Sequence, residues 1–283
     1  MYNDNSRFNV EIIKPWEKSD YPIKYALFDF DGTVSLIRQG WQEIMIPYFT
    51  EVLEALHSGE SHEELYDLVK LFVTDLTGKQ TIFQCIRLTE EIQKRGGIPE
   101  EPVFYKREYL RRLNEKIYQR KEALKDGTVD PDEWMVPGTR QMLERLHERG
   151  IHLYLASGTD DADVRFEAEL LRLTDYFDGG IWGANDELRR VADKKEIREI
   201  KAEVIRHMLD RQKIQPKELV SFGDGFVEIE LVAQIGGLPI GVATNEAERT
   251  GINEWKRSRL IVAGARAVIP DFSCPDRVIG LIS

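Results

Sequence analysis

The sequence predicts an α/β protein: a doubly wound, Rossmann-like parallel sheet interrupted by an inserted all-helical domain. Two observations carry that prediction. Short apolar segments recur along the chain with helix-period stretches between them, the alternation expected of parallel strands buried on both faces. The alternation then stops for about a hundred residues after the first such segment, where only helical periodicity is found.

The elements follow in order. The first 24 residues are polar and carry acids, with no apolar stretch of the kind a secretory signal needs. Tyr25-Ala26-Leu27-Phe28 is the first predicted strand. Helical patterns follow at 41–56, 63–76, 82–95 and 103–123, with Gly96-Gly97 and Ile98-Pro99 punctuating them. Pro137-Gly138 marks the return to the alternating pattern. Strands are predicted at 151–156, 219–222, 239–243 and 267–269, and helices at 139–149, 161–173, 201–211 and 254–263. The expected division is an α/β core from residues 1–36 and 136–283, with an inserted helical domain from 37–135.

Composition narrows the function classes. Fifty acidic against 39 basic residues give a net charge of −11, which disfavours a nucleic-acid surface. The densest basic stretch, 106–121, has apolar residues at helical spacing and reads as a solvated helix face. No apolar run approaches the ~20 residues of a membrane span. Cys85 and Cys274 stand far apart, which argues against a disulfide framework or a zinc site and points to a reducing cytoplasm. The histidines show no metal-ligand spacing and read as structural or surface residues.

Chemistry is suggested where strands end. The first runs into Asp29-Phe30-Asp31-Gly32-Thr33, which puts two carboxylates on one side of an extended segment. Placing like charges together requires a cation or a shared proton, and the Gly32 turn offers amides to an anion. The plainer reading is an Asx turn after a strand. The second predicted strand ends in Ala156-Ser157-Gly158-Thr159 before a helix, a natural phosphate contact, although helix capping explains the same letters. A later strand ends in Gly223-Asp224-Gly225, with Glu228 four residues after Asp224, two hard oxygen donors suited to Mg²⁺. Acids in a first helical turn are the alternative.

Taken together and in this order, these motifs resemble those of the haloacid dehalogenase-like superfamily. That family also places a lysine before the last motif. Lys201, which opens a periodic stretch 23 residues before Asp224, is the first choice; Lys194 and Lys195 are the second, and Lys213 reads as solvated. The resemblance covers roughly 23–36 and 136–270. One departure is Glu228, where the family more often has Asp.

The resemblance implies that Asp29 is a nucleophile forming a phosphoaspartate, and that Asp31 is the acid and then the base. It implies phosphate contacts from Ser157, Gly158, Lys201, Gly32 and Thr33. Mg²⁺ would be held by Asp29, the Asp31 carbonyl, Asp224 and Glu228. An acid at Asp31 sets the chain apart from the dehalogenases, whose halide leaving group needs no proton. The helical insertion resembles the family's C1 cap, with Arg38, Trp41 and Lys79 as candidate substrate contacts. For Trp41 a place in a helix core is the plainer reading, and for Lys79 simple solvation. The expected function is a cytoplasmic Mg²⁺-dependent phosphatase of a small phosphorylated metabolite such as a sugar phosphate. No nucleic-acid or membrane partner is expected, and the sequence leaves the oligomeric state open. A sugar phosphomutase on the same core and a non-catalytic binding module are the alternatives.

Overall fold

The computed structural model describes residues 9–184 and 200–282. Seven strands form one sheet: β1 (Glu11–Ile12), β2 (Tyr25–Phe28), β3 (His152–Asp160), β4 (Gly180–Ala184), β5 (Leu219–Gly223), β6 (Leu238–Val242) and β7 (Ala267–Ile269). Their spatial order is β1-β7-β6-β5-β2-β3-β4. Pairing is parallel throughout except at β1, which runs antiparallel to β7. The five predicted strands are present, and β3 runs on past 156 to Asp160. β1 and β4 were not foreseen.

Between β2 and β3 the chain builds four helices: α1 (Gln42–Glu54), α2 (His62–Asp75), α3 (Thr81–Lys94) and α4 (Pro102–Lys125). Their starts have local causes. Ser61 and Glu64 form a reciprocal capping box at α2, and Pro102, whose missing N–H costs nothing in a first turn, opens α4. The remaining helices are α5 (Thr139–His147), α6 (Asp161–Leu170), α7 (Ile200–Asp210), α8 (Phe226–Ile235), α9 (Glu254–Val262) and α10 (Pro275–Ile282).

Strand alternation decides which helices cover which face. Ala26 and Phe28 point into a cluster with Met142, Leu143, Val164 and Val278 of α5, α6 and α10. Leu27 points the other way, into a cluster with Val204 and Met208 of α7 and Val232 of α8. At the centre Phe28 stacks on Phe222, ring centroids 4.9 Å apart. Because β3 and β5 flank β2, the chain reverses its winding direction at β2. Ligands in open α/β sheets bind at such a switch point, beyond the carboxyl ends of the strands. Asp29 and Asp224 directly follow β2 and β5, and Ser157 lies in the carboxyl-terminal half of β3.

Candidate functional site

The loop after β2 is built around Gly32, whose backbone is left-handed (φ 77°) and whose Cβ, if present, would stand 2.3 Å from Asp224 Oδ2. A glycine here lets the two acidic loops approach each other. Thr33 joins them: its hydroxyl accepts from the Asp224 N–H at 2.9 Å. Thr33 is fully buried and engaged with Asp224, so it holds a loop and does not line the cleft.

Lys201, the second residue of α7, is 1% exposed and bridges two buried carboxylates. Its Nζ lies 2.9 Å from Asp29 Oδ1 and 2.6 Å from Glu228 Oε2. Gly223 makes room for Glu228, since a Cβ there would lie 1.7 Å from Glu228 Oε1. Burial pushes the Asp29 carboxyl well above the ordinary range; Lys201 opposes the shift, and the charges of Glu228 and Asp224 add to it. Glu228 is raised by burial and lowered by Lys201, with a net rise. Lys213 is exposed. Lys194 and Lys195 lie outside the described residues.

Asp31 is held on one side by hydroxyls. Its Oδ2 accepts from Thr159 Oγ1 at 2.7 Å and from Ser157 Oγ at 3.4 Å. Neither residue caps α6, where the N-cap position is Asp160 without a side-chain cap bond. Burial raises the Asp31 carboxyl to about 6, against the pull of Arg38.

A cleft of about 760 Å³, counting its open mouth, runs between the strand ends and the helical insertion. It is lined by Asp29, Asp31, Gly32, Ser157, Gly158, Lys201 and Asp224 from the sheet side. From the insertion side come Arg38, Trp41 and Lys79. Glu228 lies beneath Lys201, outside the lining. The loop carrying Lys79 crosses very close to the Asp224 loop: a Cβ on Gly78 would meet Gly225 Cα at 3.0 Å. Arg38 is buried, with guanidinium hydrogen bonds to Glu167 and Asp163. Trp41, half-buried, also packs against the core.

The sequence reading missed several residues here. Lys256 of α9 ties Asp224 to Glu246, and Glu246 lines the cleft. Glu167, Tyr109 and Gln84 were also missed. Gln84 donates to the Leu76 carbonyl at 3.1 Å, and its Oε1 is buried with no hydrogen-bond partner among the described residues.

The model of the family haloacid dehalogenase-like hydrolase matches residues 23–236. The chain belongs to the haloacid dehalogenase-like hydrolases. No curated protein matches the sequence. Among solved structures, β-phosphoglucomutase from Clostridium difficile is similar at a TM-score of 0.59 and 14% identity, with 92% of this chain and 97% of that one covered. CbbY from Rhodobacter sphaeroides, in complex with xylulose-(1,5)bisphosphate, gives 0.55 and 18%, covering 89% and 96%. A predicted phosphoglycolate phosphatase from Haemophilus somnus gives 0.53 and 16%, covering 91% and 98%. At these identities the likeness is one of fold.

Haloacid dehalogenase-like hydrolases generally use Mg²⁺. Among the described residues no three His, Cys, Asp or Glu side chains form a ready-made cage. The donor set still fits the ion, because Mg²⁺ takes one or two carboxylates and fills its octahedron with water and phosphate. The mutual repulsion of Asp29, Asp224 and Glu228 is the charge excess a cation relieves. No helix among the described residues is long and apolar enough to cross a membrane.

Proposed function

We propose that this hydrolase is a Mg²⁺-dependent phosphatase acting on a small phosphorylated metabolite, a sugar phosphate by preference, through a phosphoaspartate on Asp29. The observation that carries the reading is the pairing at the switch point. Asp29 is held by Lys201 at 2.9 Å, while Asp31 sits beside it in an environment that raises its carboxyl to about 6.

The residues divide the work as follows. Asp29 Oδ attacks phosphorus in line as the P–O bond to the leaving group breaks. Asp31 gives its proton to the departing oxygen and is left as a carboxylate. Asp31 then takes a proton from water, whose oxygen attacks the phosphoaspartate phosphorus, releasing inorganic phosphate and restoring Asp29. Lys201, the Ser157 hydroxyl and the amides around Gly32 and Gly158 face the phosphoryl oxygens, where fixed positive and dipolar groups stabilise developing charge. Mg²⁺, held by Asp29, the Asp31 carbonyl and Asp224, would supply Lewis-acid neutralisation of the phosphoryl group. Glu228, bonded to Lys201, would act on the site through that lysine.

Phosphate release from a panel of sugar and glycolytic phosphates, with and without Mg²⁺ and with Asp29→Asn, tests the reading. Release that needs both the ion and Asp29 is expected. No release from folded protein, with an isomeric sugar phosphate accumulating, would replace it with a phosphomutase; neither product would leave a binding module.

A further inference from the structure

Arg38 stands among three carboxylates and treats them unequally. Its Nε lies 3.1 and 3.0 Å from the two oxygens of Glu167, and Nη2 lies 2.8 Å from Glu167 Oε1 and 2.9 Å from Asp163 Oδ2. The same Nε is 3.9 Å from Asp31 Oδ1, close enough for attraction and too far for a hydrogen bond. Glu167, in the middle of α6, is fully buried and also takes Lys121 of cap helix α4 at 2.8 Å. Asp31 is thus pinned through Oδ2 by Thr159 and Ser157, while Oδ1 has no hydrogen-bond partner among the described residues.

An oxygen that must give and take a proton has to be clear of other donors. A guanidinium with no better partner forms a short two-pronged bond to a neighbouring carboxylate, which engages both of its oxygens. Glu167 and Asp163 occupy the N–H groups that would otherwise do this to Asp31.

We propose that Arg38 and Glu167 are positioning residues for Asp31: Glu167 holds the guanidinium where it attracts the carboxyl without donating to it, leaving Oδ1 open for proton transfer to the leaving oxygen. This rests on the phosphatase reading and assigns Arg38 a role other than substrate binding. Lys121 makes the arrangement a joint product of core and cap, since Glu167, a fully buried carboxylate of the core, is shared by two cations from the insertion side.

Leaving-group dependence tests it. p-Nitrophenyl phosphate expels a stable phenolate that needs little protonation, whereas the sugar phosphate best hydrolysed by the wild type needs a proton on its alkoxide. Glu167→Gln is expected to lower kcat on the sugar phosphate by about 10-fold or more, with a change under about 3-fold on the aryl ester and KM little altered. The double variant Arg38→Met with Glu167→Met removes the buried pair together and leaves Asp31 unpaired with any guanidinium. It should regain most of the sugar phosphate kcat lost by Glu167→Gln, and it serves where the single variant fails to fold. Equal losses on both esters, a rise in KM alone, or no recovery in the double variant would overturn the inference while leaving the phosphatase reading intact. A wild type inactive on both esters would remove both.

Discussion

The ammonium of Lys256 lies 2.7 Å from Oδ2 of Asp224, the carboxylate assigned to Mg²⁺ in the proposed mechanism. Its other partner is Glu246 Oε1 at 2.6 Å. Burial alone would lower the Lys256 pKa, but the two carboxylates outweigh it and raise it, so the residue is a fixed positive charge. A second cation on Asp224 must work against that charge. Lys256→Met is therefore expected to tighten Mg²⁺ binding, measured calorimetrically, by about 3- to 30-fold, or roughly 0.6–2 kcal/mol. The same variant should melt lower in chelator. Weaker binding would instead show that the ammonium aims Asp224 at the ion.

Lys201 is the counter-ion of two buried acids, Asp29 and Glu228. Lys201→Met removes it and leaves both carboxyls with pKa values higher still. A group raised in the folded state favours folding below its unfolded value and loses that contribution as pH climbs through the folded one. The variant should accordingly be about 3–5 kcal/mol less stable than wild type near pH 8 and recover much of the difference near pH 5. Denaturant melts at the two pH values measure it. Phosphate release should fall about 100-fold or more at both.

Asp31 follows the same sign rule. Its carboxyl is raised to about 6, so in metal-free protein the stability it contributes is present below about pH 4 and lost as pH rises through about 6. Asp31→Asn lacks the buried charge and should be more stable than wild type at pH 8. The side chain keeps 28% of its surface in water, which limits the gain to about 1–2 kcal/mol. Thermal melts in chelator should show a gap of about 2–5 °C at pH 8 that closes by pH 4.

Arg259 of α9 donates to the carbonyls of Thr74 at 2.5 Å, Asp75 at 3.0 Å and Thr77 at 3.4 Å. Those groups end α2 and begin the loop carrying Lys79. The guanidinium also stacks over Trp255 and Phe226, 4.6 and 5.2 Å from the ring centroids. Arg259→Ala should speed hydrogen exchange in residues 76–80 and raise KM by about 10-fold, with less effect on kcat. Unchanged exchange there would mean that the close Gly78–Gly225 approach holds the loop unaided.

Much of this fold was legible because apolar runs and helix periods are local signals. The four cap helices fall within two residues of their predicted starts and ends. β4 was not legible: Gly180 and Gly183 break its apolar run. β1 has two residues and is defined only by its pairing with β7. At the site, Asp29, Asp31, Ser157 and Asp224 were readable because they closely follow predicted strands. Glu167, Glu246 and Lys256 were not, since a charged residue on a helix or in a loop is spelled the same whether it faces water or a buried partner. Arg38 was legible as a residue of interest, but its partners lie more than 120 positions away.

The strand that bears Asp29 has a consequence for how the chain is made. β2 lies between β3 and β5, with Tyr25 opposite His152 on one side and Leu219 on the other. A nascent chain leaves the ribosome with β2 ahead of both neighbours, and neither exists until the whole cap has been synthesised. At typical elongation rates that interval is roughly 6–25 s. The cap helices, whose contacts are close in sequence, can form during it, whereas Ala26, Leu27 and Phe28 have nothing to bury them. The segment destined for the middle of the sheet is therefore one that a chaperone, or another unfinished chain, has a long opportunity to meet.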